Sequence, residues 1–172
     1  IKIVLLKRHP IDVVHSWLLR GWGYRFEKND LLAFIPLIRK GKFNFPWYVN
    51  GLEKEYYNIS EVERIIKCID ILMDMEEETL RLLNKDQKKS ILIIRYENLV
   101  EKTINEIGRM EEFLNCSQSN RMSDIMIREN CPSEISLTRR NEKLNEIAKN
   151  ASKDYIEMIL SRSEAYEKAS IW

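Results

Sequence analysis

The sequence of 172 residues suits a single domain, and its 44% apolar and 32% charged residues are typical of a folded globular chain rather than a disordered one. The 28 basic and 27 acidic side chains nearly cancel, so the overall charge does not indicate binding to nucleic acid or to an anionic membrane. No apolar run approaches the roughly 18 residues of a membrane-spanning helix, and three cysteines are too few for a disulfide framework, although one bridge between Cys116 and Cys131 stays open.

The chain opens on an apolar, β-branched run, Ile1–Leu6, which predicts a strand buried on both faces. Pro10 follows at a position that suits the first turn of a helix, and apolar residues then recur at helical spacing until Gly21 and Gly23. Because a chain seldom begins inside a central strand, we expect further sequence before this strand.

The middle of the chain combines an irregular, aromatic stretch with a long helix. Residues 24–59 contain prolines and many aromatic side chains, and only Asp30–Ile38 has the pattern of a short helix. The segment Ser60–Asn84 predicts the strongest helix, since one face is apolar and Ser60 with Glu63 forms a capping-box pattern.

The second half of the chain is predicted to be mostly helical after one more strand. A buried strand Ser90–Ile94 is predicted first, followed by a helix from Thr103 to about Leu114 that opens with a Thr103–Glu106 capping box. The residues of this helix expected to face inward are Ile104, Ile107, Met110 and Leu114. After it we predict a short helix Ser123–Glu129, a connection that holds Arg139 and Arg140, and one or two helices from Asn141 to about Ala169. Strands that alternate with helices predict a parallel α/β sheet, and ligands of such sheets bind beyond the carboxyl ends of the strands.

Arg8 and Ser16 are the first candidates for a binding site. Arg8 follows the first strand, and its planar guanidinium suits a phosphate. The helix that begins two residues later adds N–H groups and a dipole that favour an anion. Ser16 lies on that helix with Asp12 one turn before it, and its hydroxyl can donate to the same phosphate. Physical reasoning alone leaves a structural alternative, in which Arg8 pairs with an acidic neighbour and Ser16 faces solvent.

The segment KRHPIDVVHSW resembles the 3′-phosphate-binding motif of sulfotransferases that use PAPS, 3′-phosphoadenosine 5′-phosphosulfate. In that motif an arginine at a strand end is followed eight residues later by a serine, often with proline and aspartate between them. Arg8, Pro10, Asp12 and Ser16 occupy these positions here. The resemblance implies that Arg8 and Ser16 bind the 3′-phosphate.

A second segment, ILIIRYENLVEKTINEIGRMEEFLN, is similar to a later strand-and-helix block of the same family, with Asn98 in place of Asp and Asn115 in place of Gly. Tyr96 matches the family's tyrosine near the adenosine, although a half-buried aromatic at a strand end is the structural alternative. The resemblance covers about residues 1–116. It implies one partial sulfotransferase-like domain over residues 1–172, with a P-loop NTPase-like parallel sheet flanked by helices, incomplete at its amino end.

Three further groups of residues have weaker functional interpretations. Arg139 and Arg140 are the nearest equivalent of the family's late Arg-Lys-Gly loop over the 3′-phosphate, or else solvated basic residues before a helix. The middle aromatics occupy the family's acceptor-binding slot, or else pack a core beneath a long loop. His9 and His15 do not match the family's catalytic base, and His15 is expected to be an ordinary helix-face residue.

The resemblance implies transfer of a sulfuryl group from PAPS to a hydroxyl or amine, with 3′,5′-ADP as the product. The acceptor is a small molecule, a carbohydrate or a peptide, and no nucleic acid, metal or membrane segment is expected. The family's Gly-rich loop and catalytic base would precede Ile1, so we assign no catalytic residue and expect residues 1–172 alone to be inactive. Another nucleotide-binding enzyme, such as a P-loop kinase relative, and a non-catalytic helical interaction module are the alternatives. The compartment, cytoplasm or Golgi lumen, is left open.

Overall fold

The computed structural model describes residues 1–27, 37–135 and 137–169, which form two compact units. Unit 1 comprises Ile1–His9, Leu82–Leu137 and Ala169, and unit 2 comprises Pro10–Arg81 and Thr138–Lys168. The elements in chain order are β1 (Ile3–Lys7), α1 (Pro10–Leu19), a 3-10 helix (Trp22–Glu27), β2 (Leu37–Lys40), β3 (Phe43–Pro46), a 3-10 turn (Trp47–Val49), α2 (Glu53–Asn58), α3 (Glu61–Leu82), α4 (Lys85–Lys89), β4 (Ile91–Arg95), α5 (Tyr96–Glu101), α6 (Thr103–Leu114), α7 (Met122–Arg128), α8 (Leu137–Ala148) and α9 (Lys153–Lys168).

In unit 1, β1 and β4 form the parallel sheet that the sequence predicts. The register pairs Ile3 with Ile91 and Lys7 with Arg95, so both strands end at the same edge. The expectation that the first strand is buried on both faces is wrong, since Ile3 and Leu6 are 49% and 51% exposed. A parallel strand is buried on both faces only where further strands and helices flank it, and among the described residues β1 pairs with β4 alone.

Helix α6 is the helix predicted from Thr103 to about Leu114, but its first turn differs from the prediction. The hydroxyl of Thr103 donates to the carbonyl oxygen of Leu99 at 2.8 Å, and Glu106 is buried and paired with Arg109, so the predicted capping box does not form. The reason is that α5 ends immediately before α6, and the chain turns from one helix into the next without an extended cap residue. Of the four residues predicted to face inward, Ile107 and Met110 are partly buried, whereas Ile104 and Leu114 are 67% and 42% exposed.

Unit 2 is built around α3, where the predicted capping box is confirmed. The backbone N–H of Ser60 donates to Glu63 at 2.9 Å, and the N–H of Glu63 donates to the hydroxyl of Ser60 at 3.4 Å. The apolar face of α3 packs with residues of α1, α8 and α9 into one core. Its buried members are Ile11, Val14, Val62, Ile65, Ile66, Ile69, Ile147 and Ile159.

The aromatic middle of the chain contains an antiparallel hairpin that the sequence did not reveal, formed by β2 and β3. The predicted helix Asp30–Ile38 lies largely outside the described residues, and its last two residues belong to β2. Phe45, Tyr48 and Tyr56 are buried with Cys68 in a second core cluster. This part of the aromatic stretch therefore serves as core.

Candidate functional site

In unit 1, the two predicted residues at the strand ends lie together. Arg8 is exposed directly after β1, and its guanidinium carbon lies 4.7 Å from the centre of the Tyr96 ring. The register explains the contact, because Lys7 pairs with Arg95 and the next residue of each strand emerges at the same edge. A cation over an exposed aromatic face is stabilised by about 0.5–1 kcal/mol. Two segments far apart in the sequence thus supply one small surface.

Within unit 1, the N–H donors of the Arg8 guanidinium have no described hydrogen-bond acceptor. Among the described residues of unit 1, none forms an ion pair or hydrogen bond with its guanidinium, whose neighbour is the Tyr96 ring. The alternative in which an acidic neighbour pairs with Arg8 therefore has no support in unit 1. A guanidinium has five N–H donors in a planar fork and can form a bidentate contact with an anion.

The turn after β1 is tied to the start of α5 by a carboxylate. The backbone N–H of His9 donates to Oε1 of Glu97 at 3.0 Å, and His9 itself is only 2% exposed. Glu97 follows Tyr96, and His9 follows Arg8, so the two contacts lie side by side across the edge of the sheet. The sequence analysis missed Glu97, because only the register of the parallel strands places it opposite His9.

In unit 2, Ser16 is half-buried on α1 and is contacted by Arg20 one turn later. Nη1 of Arg20 donates to the hydroxyl oxygen of Ser16 and, at 3.0 Å, to its backbone carbonyl oxygen. A serine hydroxyl accepts and donates at once, so accepting from Arg20 leaves its own hydrogen available for an anion. The expectation that Ser16 and Arg8 bind one phosphate stays a prediction.

Asp12 has a structural role that the sequence did not show. It is 5% exposed, and its carboxylate accepts from Arg140 at 3.2 Å and from Lys143 at 2.5 Å, which joins α1 to α8. Burial alone would raise the pKa of Asp12, but the hydrogen bond and charge of Lys143, together with Arg140, outweigh burial and hold the pKa below its ordinary value. His15 adds a second link between these helices, with Nε2 2.7 Å from Glu146.

Comparison with known proteins identifies the family. The sulfotransferase domain family matches residues 1–157. The chain belongs to the sulfotransferase family. No curated protein and no solved structure gave a significant match. A sulfotransferase domain implies PAPS-dependent sulfuryl transfer, and the match confirms the family that the two sequence segments indicated. The match also extends well past residue 116, where the resemblance faded, and it includes Arg139 and Arg140.

These two arginines differ in what surrounds them in the sulfotransferase. Both lie in the first turns of α8, so the expectation that they occupy a connection before the helix is wrong. The cause is that α8 begins at Leu137, upstream of the predicted start. Arg140 is bonded to Asp12, whereas Arg139 is exposed. A contact between either arginine and PAPS stays a prediction.

The remaining reactive side chains of the sulfotransferase offer no second centre among the described residues. All three cysteines are free, and burial raises the pKa of the Cys68 thiol to about 11, which keeps it protonated at neutral pH. In the described ranges no group of three His, Cys, Asp or Glu side chains could hold a metal ion. No described helix combines the length and the apolar character that crossing a membrane requires.

Proposed function

We propose that this chain supplies the part of a PAPS site that binds the 3′-phosphate and the adenosine, with Arg8 as the principal phosphate ligand. The observation that carries the proposal is the guanidinium of Arg8, which lies over the Tyr96 ring with no ion pair in unit 1. Its fork would donate two hydrogen bonds to the 3′-phosphate. The ring of Tyr96 would orient the guanidinium and border the adenosine.

The other predicted ligands have separate roles in the proposal. The Ser16 hydroxyl would donate a further hydrogen bond to the 3′-phosphate. Arg139 and Arg140 are further candidates, both in the first turn of α8, and Arg139 is the more exposed of the two. These donors would favour a nucleotide that carries a 3′-phosphate over ATP, which lacks that group.

The reaction proposed for the whole site is transfer of the sulfuryl group of PAPS to a hydroxyl or amine, which leaves 3′,5′-ADP. The S–O bond to the nucleotide breaks as the acceptor oxygen or nitrogen bonds to sulfur. Residues of this chain would hold the nucleotide in place for that displacement, so their contribution is positioning and charge stabilisation. The acceptor would be a small molecule, a carbohydrate or a peptide.

The test is nucleotide binding to the 172-residue chain, measured by thermal unfolding and calorimetry. We expect 3′,5′-ADP to raise the unfolding temperature and ATP to leave it unchanged. Arg8→Ala should weaken 3′,5′-ADP binding about 10- to 100-fold, since hydrogen bonds to charged groups contribute about 1.5–3 kcal/mol. Arg8→Lys should retain part of the affinity, because lysine keeps the charge but not the fork.

The matched control is Arg121→Ala, which removes another exposed arginine of unit 1 and should leave binding unchanged. Equal affinity of wild type and Arg8→Ala would contradict the proposed site. Stronger protection by ATP than by 3′,5′-ADP would contradict the proposed recognition of the 3′-phosphate. A folded chain that responds to neither nucleotide would favour a non-catalytic helical module.

A further inference from the structure

The side chain of Glu97 contacts the turn that directly follows Arg8. Its Oε1 accepts the backbone N–H of His9 at 3.0 Å, although 88 residues separate the two in sequence. The ladder between β1 and β4 ends at Lys7 and Arg95, so Arg8 is the first residue beyond the pairing. The Glu97 contact therefore continues the connection between the two strand ends after the ladder has stopped.

The hydrogen bond fixes the peptide that joins Arg8 to His9. The orientation of that peptide sets the direction in which the side chain of Arg8 leaves the backbone. A hydrogen bond to an ionised carboxylate is roughly twice as strong as one between neutral groups, and this one is partly buried. The stacking of Arg8 on Tyr96 is a weaker and less directional contact. The Glu97 bond is thus the stronger restraint on the turn.

A carboxylate is itself a poor neighbour for a phosphate, because like charges repel. Glu97 therefore does not fit the role of a phosphate ligand. Its contact is made with a backbone N–H that lies beyond the end of the strand ladder. The geometry serves orientation rather than direct binding.

We infer that Glu97 is a positioning residue, which holds the turn at His9 so that the fork of Arg8 is aimed at the 3′-phosphate. This inference rests on the proposed function, since it assigns a cause to the placement of the proposed phosphate ligand. It makes the selectivity for 3′-phosphorylated nucleotides depend on a residue that does not contact the nucleotide.

The experiment compares the binding of 3′,5′-ADP and of 5′-AMP, which lacks the 3′-phosphate, to variants of the 172-residue chain. Glu97→Ala should weaken binding of 3′,5′-ADP about 10-fold and leave binding of 5′-AMP unchanged, because only the former uses the aimed guanidinium. Glu97→Gln keeps an acceptor oxygen at the same place and should bind within about 3-fold of wild type. Glu97→Asp, one methylene shorter, should behave like the alanine variant.

Glu101→Ala is the matched control, since Glu101 is exposed on the same helix. In an Arg8→Ala background, the effect of Glu97→Ala on 3′,5′-ADP should disappear, as expected for two residues that act through one contact. Thermal unfolding of each variant verifies that it is folded. If Glu97→Ala does not fold, the comparison of Glu97→Gln with Glu97→Asp tests the positioning role instead.

The outcomes separate the two claims. If Arg8→Ala weakens 3′,5′-ADP binding but Glu97→Ala and Glu97→Asp do not, the positioning role is refuted and the proposed site stands. If Arg8→Ala has no effect, the proposed site fails and the positioning role fails with it. Equal losses for 5′-AMP and 3′,5′-ADP, or equal losses for Glu97→Gln and Glu97→Asp, would show a general structural role and overturn the inference.

Discussion

In unit 1, the guanidinium of Arg8 is exposed and has an aromatic ring as its neighbour, whereas in unit 2 the guanidinium of Arg140 is largely buried and bonded to Asp12. The same residue type therefore has two different surroundings in one chain. A buried charge must be paired or its desolvation is not compensated, and once paired it has few donors left for a ligand. An exposed arginine without an ion pair contributes little to folding and keeps its donors for binding.

The largest expected effect comes from removing the shared partner in unit 2. Asp12→Ala leaves Arg140 and Lys143 without their carboxylate, and we expect the free energy of unfolding to fall by about 3 kcal/mol. Urea unfolding measures the loss. Arg8→Ala, four residues earlier in the same motif, should change stability by less than about 0.5 kcal/mol while it weakens nucleotide binding. Similar stability losses for both variants would contradict the difference between a paired, buried charge in unit 2 and an exposed charge in unit 1.

The Asp12 contact should also make stability depend on acidity. Because the folded pKa of Asp12 is lowered, its stabilisation is present above the unfolded value of about 4 and is lost as the pH falls through the folded pKa. We expect Asp12→Asn to be less stable than wild type at about pH 7, and the difference to shrink as the pH falls below about 4. Urea unfolding across this range is the measurement, and a constant difference would contradict the assignment.

Two glycines, one in each unit, should respond in opposite directions to an added methyl group. A Cβ at Gly23 in unit 2 would lie 2.4 Å from Cγ and 2.5 Å from the backbone oxygen of Glu61, so Gly23→Ala should destabilise by about 1–3 kcal/mol. A Cβ at Gly108 in α6 of unit 1 would meet no atom within 4 Å. Gly108→Ala should therefore stabilise by about 0.5–1 kcal/mol. Thermal unfolding of both variants measures these changes in stability. A stabilised Gly23→Ala variant or a destabilised Gly108→Ala variant would contradict the packing difference between the two sites.

The strands and the main helices could be predicted because their signals are local. β-branched runs marked β1 and β4, and Ser60 with Glu63 marked the start of α3. The hairpin of β2 and β3 was missed because each strand has only four residues, Leu37–Lys40 shows no alternation of apolar and polar residues, and Pro46 weakens the strand pattern of β3. Thr103 with Glu106 had the pattern of a capping box, but the preceding helix left no extended residue to carry it.

The candidate site was predictable only in part, because some of its contacts join residues that are far apart in the sequence. The motif placed Arg8 and Tyr96 at strand ends, and a parallel sheet then brings strand ends together. The partners of Asp12 lie 128 and 131 residues away in sequence, and no local pattern connects them. The contact of Glu97 with His9 likewise depends on the register of the two strands, which the sequence does not reveal.

The register of β1 with β4 has a consequence for how this protein can change over evolutionary time. The register of the two strands places Arg8 and Tyr96 at one edge, so their proximity depends on the pairing within the ladder and not on the number of residues between the strands. A single residue added within either strand would instead turn every later side chain of that strand to the opposite face. The lengths of the two strands are thus constrained by the pair of side chains at their ends.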